Sequence, residues 1–429
     1  MQGKALPGFR DFYPEELALR NHIFATWRAV ATRYGFEEYD GPPLEALDLY
    51  TRKSGDEIVQ QLYAFRDKGD REVALRPEMT PTLARMVAAR AQALKKPIRW
   101  FSIPQLFRYE RQQRGRLREH FQLNMDIIGE ASALADAELI AAAIDILRAF
   151  DLGPQDVRAR VSDRRVLRAL LMGAEIAEGQ LPAALAVIDR SERVPKNVLE
   201  EMLKESGYGK RETAAVFAVA ELRGIGDVSA ALGNVRGGEE AGEPLRQAIA
   251  ALEAMGLAEF VTVDLTIVRG LAYYTGIVFE LFDAAKELRA ICGGGRYDGL
   301  LAAFGGTDLP ALGFGMGDVV LGELLKERGA APKASTELGA FLIAVSGGED
   351  LTTVLRLAHA LRDRGVPVEY GLRHSGVRKQ LELASARGAA RAVIVGPEER
   401  AAGVAVVRDL KAGTEAKVPL EHLLNGFFD

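Results

Sequence analysis

The sequence predicts an α+β fold: an antiparallel sheet with flanking helices, interrupted by a mostly helical insertion and followed by a separate α/β module. Three observations lead there. Two strand patterns, at 98–107 and 119–128, flank a polar, arginine-rich stretch of hairpin character. Strand signals fade over 164–258, where Leu, Ala and Glu dominate the periodicity, and return at 260–268, 276–282 and 288–293. Beyond a charged, then small-residue linker at 324–338, strand and helix patterns alternate. The domains expected are a sheet domain in two parts, 1–163 and 259–325, a helical insertion at 164–258, and a C-terminal module at 338–429.

Taken in order, residues 15–34 read as a helix. Ile23, Trp27, Val30 and Tyr34 recur at helical spacing and Gly35 stops them. A turn-rich loop with Gly41, Pro42 and Pro43 follows. A second helix is expected at 81–95, with Pro81 in its first turn. After the hairpin, an alanine-rich helix runs over about 133–151 and ends near Gly153. In the C-terminal module, strands are expected at 340–346, 366–370 and 391–395. They alternate with helices at 350–364 and 376–387 that end at Gly365 and Gly388. Two short strands, near 404–408 and 415–418, are separated by Ala412-Gly413-Thr414.

Bulk composition narrows the class. At 429 residues and 48% hydrophobic, the chain can build two or three cores. It has no run of about 18 uncharged apolar residues, so no membrane partner is expected. Its first residues, with Arg10, Asp11, Glu15 and Glu16, lack the pattern of a secretion signal. A lone cysteine, Cys292, excludes an intrachain disulfide, and the expected location is cytoplasmic. The net charge of −5 decides little, because nucleic-acid binding asks for basic patches rather than a basic total.

Five segments carry chemistry. The first, residues 107–118, holds five arginines and one glutamate. Arg108 and Glu110 share strand parity and therefore a face. A guanidinium fork suits phosphate, and a nearby carboxylate can accept an adenine amino group or hold a metal. A solvated charged loop is the plain alternative. The second, Leu75 to Pro81, places Glu78 and Thr80 at the start of a helix, with helix capping by Thr80 as the alternative. The third, Val268 to Gly276, sets Arg269 before the neighbouring Tyr273 and Tyr274, which could equally be packing residues. The fourth is the glycine-rich loop Gly293-Gly294-Gly295 with Arg296, Tyr297 and Asp298. The fifth is a glycine-rich strand, Pro310 to Gly317, leading into a helix. Gln122 and Asp126, four apart on the second hairpin strand, share a face.

Phe107-Arg108-x-Glu110, its arginine-rich loop and the following strand resemble motif 2 of the class II aminoacyl-tRNA synthetases. The longer string 107–122, the Arg-Gly-Leu-x-Tyr-Tyr of 269–274 and the Gly-Gly-Arg-Tyr-Asp of 294–298 are similar to the histidyl branch. Leu6 to Asp11 and Pro43-Leu44-Glu45 resemble its entry segment and motif 1, which implies a homodimer. The C-terminal module resembles its anticodon-binding domain.

The resemblance implies a histidine–tRNA ligase that joins L-histidine and ATP to a histidyl-adenylate and passes the histidyl group to tRNA(His), with Mg²⁺ on the phosphates. Arg108 and Arg269 would be the catalytic pair on the α-phosphate. Glu78, Thr80, Gln122, Asp126, Tyr273, Tyr274 and Tyr297 would bind histidine. Glu110, Arg118 and Gly317 would join Arg108 at ATP. Arg111, Arg114, Arg116, Arg378 and Lys379 would touch tRNA. The chain departs from the family pattern at several positions. Ala272 stands for an acidic residue, Asp126 for a glutamate, and Val319 and Val320 occupy the place of the motif 3 arginine. Gln112 stands where many relatives have proline, and Glu119 where many have glutamine. A second reading shares the fold: a histidine-binding regulatory subunit of ATP phosphoribosyltransferase, which does not charge tRNA. A nucleic-acid-binding accessory protein on the same fold is a third.

Overall fold

The computed structural model describes residues 3–51, 56–111, 115–269, 274–285, 288–303, 308–332, 338–373, 375–426 and 428. The chain divides into two compact units, 1–332 and 333–429.

The first unit is organised by one large sheet. Its strand order is Glu37–Glu38, Ile98–Ser102, Glu119–Ile128, Ala311–Gly317, Cys292–Arg296, Ile277–Asp283, Val157–Asp163 and Val261–Val263. Gln105–Phe107 pairs with Glu119–Ile128 off this path. Only the two outermost junctions are parallel; the interior ones are antiparallel. Alternation along the strands gives the sheet two unlike faces. Leu123, Met125 and Ile127, with Phe279, Leu281, Phe314 and Met316, point into the main core. The helix Ala133–Arg148 covers them, and its alanines let it sit close to the strands. The helix Pro14–Arg33 adds Ile23, Trp27 and Val30 to the same core. The opposite face is paved with glycine and polar residues, and it carries the candidate site.

A proline splits the first hairpin strand expected at 98–107. Pro104 has no N–H to give, and its carbonyl instead accepts from Gln122 N at 3.1 Å. The strand expected over 260–268 stops at Val263. Asp264 turns the chain there, its carboxylate accepting from Thr266 N at 3.0 Å and Thr266 Oγ1 at 2.7 Å. The second helix spans Thr80–Arg90, with Met79 rather than Thr80 at the cap position. The expected glycine loop at 293–295 is instead the middle of the buried strand Cys292–Arg296. Hydrophobic alternation cannot reveal a strand whose residues have no side chains.

Between Arg164 and Ala254 the described elements are helices: Arg164–Gly173, Leu181–Arg190, Lys196–Glu205, Lys210–Glu221, Gly224–Leu232 and Gly238–Ala254, with a 3₁₀ turn at Glu178–Gln180. Their buried residues, including Leu167, Leu199, Val216, Leu245 and Leu252, join the core of the large sheet. Glu72–Leu75 is the central strand of a small three-stranded sheet with Leu44–Ala46 and Tyr63–Arg66.

The second unit is a five-stranded sheet in the order Val368–Tyr370, Leu338–Ala344, Ala389–Val395, Val404–Asp409, Glu415–Pro419. The first three strands run parallel, so Leu338–Ala344 is buried on both faces and reads as a continuous apolar run. Gln380 on the helix Val377–Ala386 is 5% exposed and donates to Ala344 O at 3.0 Å and Ser375 O at 2.7 Å. Gln380→Ala should cost about 1–2 kcal/mol of this unit's stability, because two hydrogen bonds to one buried amide disappear. Urea unfolding checks this, and an unchanged midpoint would refute it.

Candidate active site

The paved face owes its shape to glycines that face one another across strands. Gly293 pairs with Gly315, and Gly295 with Gly313. Longer side chains lie down upon them. A methyl group at Gly313 would overlap the Asp126 carboxylate, and one at Gly293 would overlap the Arg269 guanidinium. At Gly315 it would stand 2.7 Å from the Gln122 amide. Only a bare backbone leaves room for these side chains and for a ligand above them. On the other face, the absent side chain of Gly294 leaves room for Phe279 and Phe314, whose ring centroids are 6.2 Å apart.

Arg269 therefore lies over the strand two places from Gln122's strand, roughly 10 Å across by ordinary strand spacing. Its Nε donates to Glu280 Oε1 at 2.6 Å, and Glu280 pairs with Gly293 across the sheet. Arg269 has φ +40°, a left-handed conformation unfavourable for a non-glycine residue. The guanidinium of Arg164 sits 3.2 Å from Val268 O and 3.3 Å from Arg269 O, and so holds the backbone in that conformation.

Arg108 stands at the other end of the same side. Its Nε donates to Pro77 O at 2.9 Å, which ties the motif 2 segment to the Arg76-Pro77-Glu78 turn. Phe107 N donates to Arg76 O at 3.0 Å and reinforces the joint. Arg76 is buried, binding Asp40 Oδ1 and Gly41 O at 2.7 Å each. Glu78 and Thr80 are half-buried at the start of the Thr80–Arg90 helix. His120, on Gln122's strand face, is held neutral with its pKa pushed down to about 3, first by burial and then by Arg108 and Arg10.

Asp126, Tyr297 and Tyr274 form an aromatic and acidic corner. Tyr297 is 4% exposed and its hydroxyl donates to Asp126 Oδ1. Burial pushes the Asp126 carboxyl up to about 7, partly offset by that hydroxyl. Tyr274 packs with Trp100, Tyr39 and Leu83 around Tyr297. Arg296 points to the opposite face, paired with Asp136 at 2.5 Å. In the 294–298 string, then, the arginine is structural and the tyrosine faces the site.

In the motif 2 loop, Glu110 is buried and ion-paired to Arg116 at 3.0 Å. The Arg118 guanidinium lies 4.2 Å over the Tyr109 ring, and its Nε reaches Glu110 O at 3.3 Å. Arg111 is exposed. Gly317 precedes the helix Asp318–Glu327, with open space where a side chain would be. Arg114 and Tyr273 lie outside the described residues. In the second unit, Arg378 is exposed and bonds Glu382 at 3.0 Å, and Lys379 is exposed beside it.

Sequence reasoning missed several groups. Glu280 looked like an ordinary strand residue. Arg10, in the entry segment, clamps Glu119 at 2.6 Å and Asp318 at 2.9 Å, joining the start of Gln122's strand to the helix after the fifth segment. Its place in the entry segment is its signal, but no role follows for it there.

An interior-antiparallel sheet with a glycine floor, an arginine at each end and an Arg-rich hairpin defines a class II aminoacyl-tRNA synthetase catalytic fold. The histidyl-tRNA synthetase family profile matches residues 8–318, and an anticodon binding domain profile matches 340–427. The histidine–tRNA ligase of Opitutus terrae is 45% identical over 98% of this chain and 97% of its own length. The chloroplastic/mitochondrial histidine–tRNA ligase of Arabidopsis thaliana is 41% identical over 97% of this chain and 85% of its own. The crystal structure of histidyl-tRNA synthetase from Nostoc sp. PCC 7120 superposes with a TM-score of 0.84 at 25% identity, covering 99% of both chains. The chain belongs to the histidyl-tRNA synthetase family. The regulatory-subunit reading is not favoured, since these ligases match along nearly the whole chain.

Proposed function

We propose that the chain activates L-histidine with ATP and transfers it to tRNA(His), with Arg108 and Arg269 acting on the α-phosphate. The observation that carries this reading is the convergence on one glycine-paved face of Arg269, Gln122 and the Asp126–Tyr297 corner. Asp126 and Tyr297 bond the imidazole, with Tyr274 beside them. Glu78, Thr80 and Gln122 take the ammonium. A site that hydrogen-bonds a polar ring rejects analogues lacking those groups, because its own buried groups would be left unpaired.

In the first step a histidine carboxylate oxygen attacks the α-phosphorus and the bond to the bridging oxygen breaks, releasing pyrophosphate. Guanidinium groups fixed on either side of the phosphate favour the charge that builds there. Next, the terminal ribose hydroxyl of tRNA attacks the adenylate carbonyl and AMP leaves. Glu110, Arg118 and Gly317 border the nucleotide. Arg111, Arg114, Arg116, Arg378 and Lys379 meet the RNA backbone by charge. Among the described residues no group of three or more His, Cys, Asp or Glu side chains is arranged to hold a metal ion. Mg²⁺ would arrive on the ATP phosphates, since it commonly takes only one or two carboxylates from a protein. When bound, it neutralises phosphate charge.

The domain roles follow: catalytic parts 1–163 and 259–325, the insertion 164–258, and anticodon binding by 338–429. A homodimer through the motif 1 segment is supported by Leu44 and Phe65, both exposed on the small sheet. No helix among the described residues is long and apolar enough to cross a membrane, and the location proposed is cytoplasmic.

The test is histidine-dependent exchange of pyrophosphate into ATP, followed by charging of a tRNA(His) transcript. Both activities are expected. Histidine binding without exchange would overturn the reading in favour of a regulatory subunit.

A further inference from the structure

The valines at 319 and 320 leave this site without the arginine that the class pattern supplies to the ATP phosphates. A different arginine, Arg289, lies with Val320 beside Gly115. Val320 is buried on the first turn of Asp318–Glu327, against the backbone of Gly115 in the motif 2 loop. A Cβ on Gly115 would stand 3.3 Å from Val320 Cγ2 and 3.8 Å from Arg289 Cδ. Arg289 comes from the connection between Ile277–Asp283 and Cys292–Arg296, a segment no sequence motif singled out. That connection is anchored one residue earlier, where Leu288 N donates to Asp283 Oδ1 at 3.0 Å.

The charges around Arg289 suit an anion. Arg289 is exposed; partial desolvation by its neighbours lowers its pKa, Arg116 and Arg193 lower it further, and Glu110 favours the charged form. Glu110 is already ion-paired to Arg116 at 3.0 Å. Like charges held this close repel, and a polyanion entering among them relieves the repulsion while gaining charge-assisted hydrogen bonds.

We propose that Arg289 binds the outer phosphates of ATP, in place of the class arginine whose position Val320 occupies. The inference rests on the synthetase reading above. A short valine at 320 leaves space that a long side chain from the adjacent connection can cross. The planar fork of arginine suits phosphate oxygens. As the bond from the α-phosphorus to the bridging oxygen breaks, negative charge moves onto the departing pyrophosphate beside this guanidinium.

The test uses the full chain and pyrophosphate exchange, with ATP and histidine varied separately. Arg289→Ala should raise the KM for ATP by about tenfold or more, the effect expected for losing a charge-assisted hydrogen bond. The KM for histidine and the Tm should not change. Arg289→Lys, which keeps the charge and loses the fork, should fall between the two. Adding Val320→Arg to Arg289→Ala and recovering ATP affinity would support the substitution directly. An unaltered KM for ATP in Arg289→Ala, beside an active unsubstituted chain, would overturn the assignment and leave the synthetase reading standing. So would equal losses for ATP and histidine with a lowered Tm, which mark a structural role. An unsubstituted chain without exchange would overturn both readings.

Discussion

Arg269→Ala is expected to lower the rate of histidine-dependent pyrophosphate exchange roughly thousandfold, the usual effect of removing a preorganised donor from a developing charge. Histidine affinity should change little, because the ring contacts proposed above belong to Asp126 and Tyr297, not to Arg269. The effect is large because the arginine is prepared for its task. Glu280 takes the Nε edge, Arg164 holds the backbone at φ +40°, and Gly293 clears the floor beneath the guanidinium. Exchange kinetics and calorimetric histidine binding, measured on the same protein, separate the two quantities. A fall in rate of less than about tenfold would remove Arg269 from the chemistry. Arg269→Lys keeps the charge but cannot reproduce the fork, so most of the loss should persist.

Asp126→Asn is expected to raise the KM for histidine roughly thirtyfold, as a charge-assisted hydrogen bond to the imidazole becomes a neutral one. The KM for ATP should stay where it is, and an unaltered KM for histidine would sink the assignment. A second signature lies in pH dependence. Burial lifts this carboxyl from the ordinary 3.8 to about 7. Between those values the folded chain holds a proton that the unfolded chain has released, so stability falls as pH rises through that window. Above about 7 the deficit is complete and the slope ends. The asparagine has no proton to lose. Without ligand, the variant should lack this slope, and near pH 8 it should gain stability relative to the unsubstituted chain, on the order of a few kcal/mol at most. Urea unfolding of both proteins from pH 4 to about 8 reads this directly.

Much of the fold and of the candidate site is legible in the order of the amino acids. The hairpin around the arginine-rich loop, the helix with Ile23, Trp27 and Val30 inward, and the alternating C-terminal module all follow from patterns only a few residues long. The paired strings at 269–274 and 294–298 mark the face on which Arg269 and Tyr297 are found. That Asp126 and Gln122 share a face follows from strand parity, their place in the site from the resemblance, and both lie over glycines. Such patterns fail where side chains are missing or distant. A run of three glycines looks like a loop, yet residues 293–295 form a strand, because what they accommodate comes from other strands.

By itself, then, the sequence determined the α+β class, the order of the elements and the residue types available to bind a phosphate and an imidazole. Only the tertiary structure decided which of them meet. Tyr297 reaches Asp126 across 171 residues, and Arg10 reaches Asp318 across 308. Glu280 finds Arg269, and Arg289 comes near Gly115 and Val320, only once the connections between strands are folded over the sheet. Local preference is set by neighbours within a turn or two of chain. Contacts at these separations depend on how whole strands align, and no short pattern encodes that alignment.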